Sequence, residues 1–598
     1  MQGLTHRWVR RSESDLGPGM GSGVAVVPCA VGAGVSPLVA RVLASRGMVE
    51  EEEVRAFCNP SLRQLHEPSL MAGLERAAGR VLMALERGEK IVIYGDYDVD
   101  GLCASAILFH TLSALGGGSS RVETYVPHRL DEGYGLHVEA MEQLAAAGAK
   151  LVVSVDCGVT GFAAASRVRE LGMDLIITDH HALPPEEKGL PEAYSVVHPR
   201  LRGEDGSTYP WGELCGAGVA FKLAWRLATM RQGSERVSPE MRDLLLEMLG
   251  LAALGTIADV VPLQGENRII ARFGLSHLKR SKLVGVRALL EASSLDGEEI
   301  DSERAGFALA PRLNACGRMG HAKDALEMLT VAPPERARAI ARDLNQHNAD
   351  RRETEQTIFE QACEAAERAG MTSSSHRAIV LADERWHAGV VGIVCSRLIG
   401  KFHRPTLLLQ RGSETSHGSG RSIDGFNLHA GLSGCGDILE KFGGHDMAAG
   451  LVVRNERLEE FVARFVECAN AGVSQEMLTP ALKVDADATI EELDSWSVKQ
   501  LSALGPFGRG NPRPCVVLRG VRALRDAEVM GKNGAHLNVQ VGPVDGGGKV
   551  IRLVGWRWGD RRSALRAGTA LDVAVHPKVS VWNGIERVEG EICDVLRR

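Results

Sequence analysis

Between Ile91 and Val197 the chain alternates short apolar runs with amphipathic stretches, and the runs end on acids or histidines. Ile91–Tyr94, Val122–Val126, Leu151–Val155, Leu175–Thr178 and Ser195–Val197 read as strands, with helices at Leu102–Leu115, Val138–Ala147 and Phe162–Leu171. Such alternation gives a mainly parallel, doubly wound sheet. Parallel strands present their carboxyl ends along one edge, so side chains that follow them converge despite wide separation in sequence. Asp96-Tyr97-Asp98-Val99-Asp100-Gly101 follows the first strand, Asp156 the third, and Asp179-His180-His181 the fourth. Asp259 ends the helical stretch Leu251–Ile257 and leads into Val260-Val261-Pro262.

Three carboxylates around one glycine turn repel one another unless a cation neutralises them, and oxygen-rich sites suit hard ions such as Mg²⁺ and Mn²⁺. An EF-hand loop is excluded: the twelfth position counted from Asp96 is Ile107 where a glutamate is needed, and the run is entered from a strand. Carboxylates with one or two imidazoles make a mixed oxygen and nitrogen set. Five ligands exceed what one ion with open positions needs, so two ions about 3.5 to 4 Å apart are expected, bridged by a carboxylate. A His-His pair alone is more often structural, because adjacent side chains diverge. Here divergence lets His180 ligate while His181 reaches a substrate phosphate or orients a ligand.

At 598 residues the chain exceeds one core and suggests about three or four domains. It carries no run near the roughly 20 apolar residues of a membrane helix and no apolar signal core over Met1–Gly23, so a cytoplasmic location without membrane contact is expected. Twelve cysteines without a CxxC pair indicate reduced thiols; Cys103 and Cys157, beside the acidic motifs, read as packing residues. A net charge of −7 does not advertise a nucleic-acid binder, so any such contact must use local patches. Ile551–Arg566 offers one: Arg552, Arg557, Arg561, Arg562 and Arg566 interleave with Trp556 and Trp558, and Trp496 and Trp582 lie in the same last fifth of the chain. Arginines follow phosphates while rings stack bases, although a solvated face over core tryptophans fits equally well.

Five segments are expected: 1–36 flexible, with Gly3–Gly23 loosely ordered; 37–331 the metal-bearing α/β domain, helical from Pro37 to about Arg87 and again over Gly218–Leu329; 332–371 a connecting helix of roughly 50 Å opened by Pro333-Pro334; 372–475 a smaller α/β domain starting at the strand Ala378–Leu381; and 476–598 a mainly β domain. In the last, valine-rich runs at Cys515–Leu518, Leu537–Val541, Val550–Val554 and Leu571–Val575 suit a small closed barrel. Arg312, Asn314 and Arg318 lie on a Pro/Gly-bounded segment suited to phosphate oxygens. In Gly418-Ser419-Gly420-Arg421-Ser422 the glycines would let backbone N–H groups approach an anion beside Arg421, with Phe442-Gly443-Gly444-His445 facing it.

DYDVDG, VDCG (155–158), TDHH (178–181), GTIADVVPL (255–263) and PRLNACGRMG (311–320) resemble the successive motifs of the DHH phosphoesterase superfamily, and within it the RecJ-type single-strand-specific exonucleases. WHAGVVGIV (386–394), GSGRSIDGFNLH (418–429) and EKFGGHDMAAGL (440–451) are similar to the accompanying DHHA1 domain, and GPFGRGNPRP (505–514) to the start of an OB-fold domain. The resemblance implies metal ligands at Asp98, Asp100, Asp156, His180 and Asp259, with Asp156 bridging and Asp96 behind them or a weaker ligand. Tyr94 stands where some members place a histidine ligand. It further implies a 5′-to-3′ exonuclease releasing mononucleotides from single-stranded DNA in repair and recombination, using Mn²⁺ or Mg²⁺. Asp156, His181, Arg312 and Arg318 would act at the scissile phosphate, and Asn314, Ser419, Gly420, Arg421 and His445 would hold the strand. A monomer working with a helicase and a single-strand-binding protein is the expected setting. An oligonucleotide or cyclic-dinucleotide phosphodiesterase and an inactive strand-binding scaffold are the alternatives. The contacts of the excursion Leu201–Trp211 are left open.

Overall fold

The computed structural model describes residues 1–11, 34–117, 121–129 and 131–598. The chain forms two compact units: Ser61–Thr357 with Pro506–Asn511, and Met1–Pro60 with Ile358–Gly505 and Pro512–Arg598.

In the first unit five parallel strands, β1 (Lys90–Gly95), β2 (Arg121–Tyr125), β3 (Leu151–Val155), β4 (Asp174–Thr178) and β5 (Ser195–Val197), lie in the order β2-β1-β3-β4-β5. The chain steps from β1 outward to β2 and returns on the other side at β3, so the switch point falls between β1 and β3, where a crevice opens at the carboxyl edge. Alternate residues enter opposite cores: Ile91, Ile93, Leu151, Val153 and Ile176 one, and Val92, Tyr94, Val152, Leu175 and Ile177 the other. Burial on both faces explains why these strands are continuous apolar runs.

Helix α1 (Val99–Gly116) leaves the acidic turn with Asp98 as its N-cap, whose Oδ1 accepts from the Asp100 and Gly101 N–H groups at 2.9 and 3.2 Å. A Cβ on Gly101 would stand 2.6 Å from the Asp96 carbonyl oxygen, so only glycine allows this tight strand-to-helix return. By length and composition α1 could cross a membrane, but Val99 to Leu108 are all buried in the core. Helices α2 (Gly216–Gln232) and α3 (Pro239–Ala258) contribute to the same core, and Asp259 caps the carboxyl end of α3.

The excursion over 201–211 serves a buried ion pair. Lys222 Nζ and Glu266 Oε1 are 2.6 Å apart with side chains at most 1% exposed; Tyr209 donates to Glu266 at 2.6 Å and Lys222 to the His66 carbonyl at 2.7 Å. Removing one partner of such a pair costs about 3–5 kcal/mol, because the other charge is left buried. Trp211 lies against Gly265, where a Cβ would come within 2.6 Å of its ring. Further on, α4 (Ala310–Met319) precedes α5 (Pro334–Arg368), whose 35 residues span about 52 Å at 1.5 Å per residue. Its residues to Thr357 belong to the first unit and those from Ile358 to the second.

The second unit carries a five-stranded sheet of β6 (Ile379–Asp383), β7 (Thr406–Arg411), β8 (Thr415–Arg421), β9 (Leu439–Gly444) and β10 (Ala448–Arg454), ordered β9-β10-β8-β7-β6. Helix α6 (Ala388–Phe402) packs on it, Gly392 lying against Ser419. A second sheet contains β11 (Val516–Ala523), β12 (His536–Pro543), β13 (Ile551–Gly555), β14 (Ala570–Trp582) and β15 (Ile585–Arg597), with short strands Ala486–Ala488 and Glu528–Met530 at its ends. Pairing of Val521–Ala523 with Val541–Pro543 closes it into a barrel.

Where a flexible start is expected, Arg7–Arg10 form a strand parallel to Ala481–Val484. Trp8 is 4% exposed, and its indole N–H donates to Asp594 at 2.8 Å, so one buried aromatic with a satisfied donor orders this stretch. The remainder of the expected flexible segment, residues 12–33, lies outside the described residues, as does the Trp582 side chain.

Candidate metal centre

The strand ends are aligned in one row. Gly95 pairs with Val155, Val155 with Thr178 and Thr178 with Val197, so Asp96, Asp156, Asp179 and His198 each stand one step beyond the ladder. Asp156 adopts φ +60°, a left-handed conformation uncommon outside glycine and asparagine that turns its carboxylate into the crevice. Ligand atoms of Asp156, His180 and His181 lie within 4.8 Å of one another, and the same holds for Asp100, His180 and Asp259 and for Asp96, Asp98 and Asp156. All five expected ligands and Asp96 therefore share one rim.

Two helices close the rim from the opposite side. The Gly216 and Ala217 N–H groups at the start of α2 donate to the two oxygens of Asp100 at 2.6 and 2.9 Å. The orphan amides of a helix N-terminus are natural partners for a carboxylate. A Cβ on Gly216 would stand 2.5 Å from Asp156 Oδ1, and one on Gly255 2.5 Å from Asp100 Oδ1. Glycine at both positions is what lets the helices approach.

Burial and mutual repulsion govern the charges. Burial and then Asp98 push Asp96 up to about 8; burial and then Asp100 do the same to Asp259. Asp156 is raised well above the usual range by burial and by Asp100, Asp98, Asp96 and Asp259. His180 is lowered to about 4 by burial, which keeps it neutral and able to ligate. His181 behaves oppositely: burial would lower it, but the hydrogen bond and charge of Asp179 raise it to about 9. Asp179 itself is held down at about 2, the His181 ring and the Val159 and His181 N–H groups overcoming its burial.

Three buried atoms here have no hydrogen-bond partner: Asp96 Oδ1, Asp156 Oδ1 and His180 Nε2. Unsatisfied acceptors clustered among like charges are costly in a dry interior unless a cation takes them. The donor set thus fits a hard or borderline divalent ion.

Comparison with known proteins agrees. The DHH family, N-terminal domain, matches residues 90–256, the DHHA1 domain 375–471 and the RecJ OB domain 484–594. The single-stranded-DNA-specific exonuclease RecJ of Bacillus subtilis (strain 168) is 36% identical over 94% of this chain and 68% of its own length. That of Salmonella typhimurium is 34% identical over 86% of this chain and 88% of its own length. The chain belongs to the RecJ family. The crystal structure of RecJ in complex with Mn²⁺ from Thermus thermophilus superposes with a TM-score of 0.79 at 31% identity, covering 96% of this chain and 78% of that one.

Within this RecJ-family fold the expected phosphate-handling residues fare unequally. A Cβ on Gly317 would lie 3.3 Å from the Tyr97 carbonyl, and the charge of Arg318 acts on the Tyr97 phenol, so Arg318 stands beside the acidic turn. Arg312 is held by neighbouring polar groups, its Nε donating to Asn345 at 3.0 Å and its Nη1 to the Ala308 carbonyl at 2.6 Å. Asn314 has a buried Oδ1 without a partner.

In the second unit Ser419, Gly420 and Arg421 are not in a turn but in β8, between β7 and β10, so their backbone groups serve sheet ladders on both sides. The anion reading of that backbone is therefore corrected. A Cβ on Gly420 would come 2.3 Å from Leu407 and one on Gly418 2.7 Å from Leu409: these glycines make room for apolar neighbours. What remains available is the row Ser419–Gly450–Gly443 across β8, β10 and β9, with Gly443 and Gly450 exposed, and His445 exposed just beyond β9.

Tyr94, at the position of a possible histidine ligand, points into the opposite core, donates to the Gly135 carbonyl at 3.0 Å and stacks on Tyr125. Cys103 and Cys157 are fully buried, with thiol pKa values driven up by burial, as packing residues should be.

Asp179 is marked in the sequence by position alone, and two further contributors carry no such positional mark. Asp179 accepts from the Val159, His180 and His181 N–H groups and binds the His181 ring at 2.8 Å; its place in TDHH was the signal. The Gly216-Ala217 amides were marked by the small residues that open α2. Arg509, whose charge acts on Asp259, sits on the 506–511 segment, which belongs to the first unit and not to the mainly β domain expected over 476–598.

Proposed function

We infer that this chain is a metal-dependent exonuclease specific for single-stranded DNA, acting from the 5′ end and releasing 5′-mononucleotides in DNA repair and recombination. The observation that carries this reading is the shared rim of Asp96, Asp98, Asp100, Asp156, His180 and Asp259 with its unsatisfied buried atoms. The chain's membership of a family of single-stranded-DNA-specific exonucleases supports it.

Asp98, Asp100, Asp156, His180 and Asp259 would hold two Mn²⁺ or Mg²⁺ ions, with Asp156 shared and Asp96 in support. When bound, the ions lower the pKa of water and neutralise charge that builds on the phosphoryl group. His180, neutral near pH 7, contributes a lone pair. His181 keeps its proton through Asp179, so its second ring N–H is available to a phosphate oxygen. The Gly216 and Ala217 amides fix the Asp100 carboxylate. Arg318, Arg312 and Asn314 supply charge and polar contacts along the strand. In the second unit, Arg421, Ser419 and His445 beside the glycine row would receive the 5′ end.

The test is incubation of purified protein with end-labelled single-stranded DNA, with and without Mn²⁺, comparing blocked 5′ and 3′ ends. Mononucleotide release that needs the ion and stops only when the 5′ end is blocked is expected. Release that ignores a 5′ block would overturn the polarity, and cleavage confined to di- or cyclic dinucleotides would overturn the substrate class.

A further inference from the structure

We propose that Cys515, His576 and Cys593 form a second metal site, distinct in chemistry from the carboxylate rim, that takes a thiophilic divalent ion such as Zn²⁺ in the wall of the C-terminal barrel. Their ligand atoms lie within 4.8 Å of one another. Three strands bring them together. Val516 pairs with Val575 in the antiparallel β11–β14 ladder, so Cys515, one residue before Val516, is carried to the level of His576, one residue after Val575.

Cys593 arrives by an irregularity. Along β14 and β15, Ala574 pairs with Asp594 and Val575 with Ile592, which leaves Cys593 as the extra residue of a bulge. Bulges re-aim side chains that a regular ladder would send elsewhere. Here Cys593 turns to Cys515 and His576, while its neighbour Asp594 binds the Trp8 indole.

The imidazole is oriented as a ligand would be. His576 Nδ1 is 2.8 Å from the Pro514 carbonyl; donation there leaves Nε2 as the ring nitrogen turned to the Cys593 thiol. Metal-bound histidines characteristically fix their tautomer through such a carbonyl. Both thiols are free, and Cys515 is 2% exposed. Arg513 and Arg11 are cations that would oppose an ion here, but Arg513 is paired with Glu591 at 2.7 Å and Arg11 with Asp485 at 3.0 Å. Two sulfurs and one imidazole nitrogen select zinc over Mg²⁺ or Mn²⁺ and leave a fourth tetrahedral position for water or an added ligand.

The experiment uses the full-length protein and two probes, Zn²⁺ and Co²⁺. Wild type should retain one zinc per chain, by elemental analysis after desalting, that Cys593→Ser lacks. Titration with Co²⁺ should give a thiolate-to-cobalt charge-transfer absorption that is lost in Cys593→Ser and in His576→Asn. Carboxylate ligation at the first unit's rim cannot produce that band. Retained Mn²⁺-dependent hydrolysis in Cys593→Ser shows that the variant is folded. Absence of the band in wild type, its persistence undiminished in Cys593→Ser, or a Cys515–Cys593 disulfide in a non-reducing peptide map would overturn the site.

Discussion

His180 Nε2 stands 3.1 Å from Asp156 Oδ1, both atoms are buried, and no hydrogen bond joins them. The same nitrogen lies 3.6 Å from Asp259 Oδ2 and 3.8 Å from Asp100 Oδ2. A neutral imidazole and three carboxylates that share a dry space without bonding one another are arranged for a common cation.

Asp156 is the residue on which that arrangement turns, and Asn is the informative replacement. Asparagine tolerates the left-handed backbone that Asp156 adopts at φ +60°, so the fold should survive while the charge is removed. Hydrolysis of single-stranded DNA by Asp156→Asn is expected to fall by about 100-fold or more, a loss at least as large as losing a supporting metal contact. Strand binding, measured by filter retention without turnover, should change little. Wild-type turnover in the variant would remove Asp156 from the bridging role.

Gly255→Ala tests the close approach of α3. In a helix interior, Ala is favoured over Gly by about 1 kcal/mol, so on propensity alone the variant should be more stable. The added Cβ, however, would stand 2.5 Å from Asp100 Oδ1 and 2.6 Å from the Ala217 Cβ. We expect the thermal midpoint to fall and the Mn²⁺ concentration for half-maximal activity to rise by roughly 10-fold or more, as Asp100 leaves its amide partners. A stabilised variant with unchanged Mn²⁺ dependence would show that the gap is slack.

The sheet and the rim were legible because burial on both faces writes each strand as an unbroken apolar run, and the residue after each run is placed by register alone. The positions of Asp96, Asp156 and Asp179 needed no tertiary information beyond that. The 418–422 stretch was not legible: Gly-Ser-Gly has little strand preference, and its place in β8 is set by β7 and β10 on either side and by Leu407 and Leu409 filling the glycine gaps. Tertiary packing overrides local propensity in such strands. The Gly216 and Ala217 amides could not be assigned to Asp100 either, since 116 residues separate Asp100 from Gly216. Nor could Trp8, whose ordering depends on Asp594 at the far end of the chain.

Removal of the ion should make stability depend on pH. Asp96 and Asp259 titrate at about 8 in the folded protein, against about 3.9 for an unfolded chain. Between those values the native state binds more protons than the unfolded state, so stability of the metal-free protein declines as pH rises from about 4 to about 8. Mn²⁺ neutralises this repulsion and should therefore raise the thermal midpoint more at about pH 8 than at about pH 6, by roughly 1–2 °C for each kcal/mol recovered in a unit of about 300 residues. Scanning calorimetry after chelation, with Mn²⁺ added back at both pH values, decides it. Equal shifts would mean that these carboxylates are not buried together in solution.

Arg509 is held next to Asp259 by backbone bonds rather than by its own charge. The Leu263 N–H donates to the Arg509 carbonyl at 2.7 Å, and Gln264 Nε2 donates to the Gly510 carbonyl at 3.0 Å. Gly510, at φ +75°, lies against Pro262 and Gln264. The side chain is thus carried on a fixed loop beside a candidate ligand, where its charge favours the ionised Asp259. We expect Arg509→Ala to lower kcat/KM on single-stranded DNA by about 10-fold, the scale of one charge-assisted hydrogen bond, with the thermal midpoint nearly unchanged. Arg509→Lys should recover part of the loss if the charge is what matters, and none if the planar fork grips a phosphate. Full activity in Arg509→Ala would reduce the 506–511 loop to a packing element of the catalytic unit.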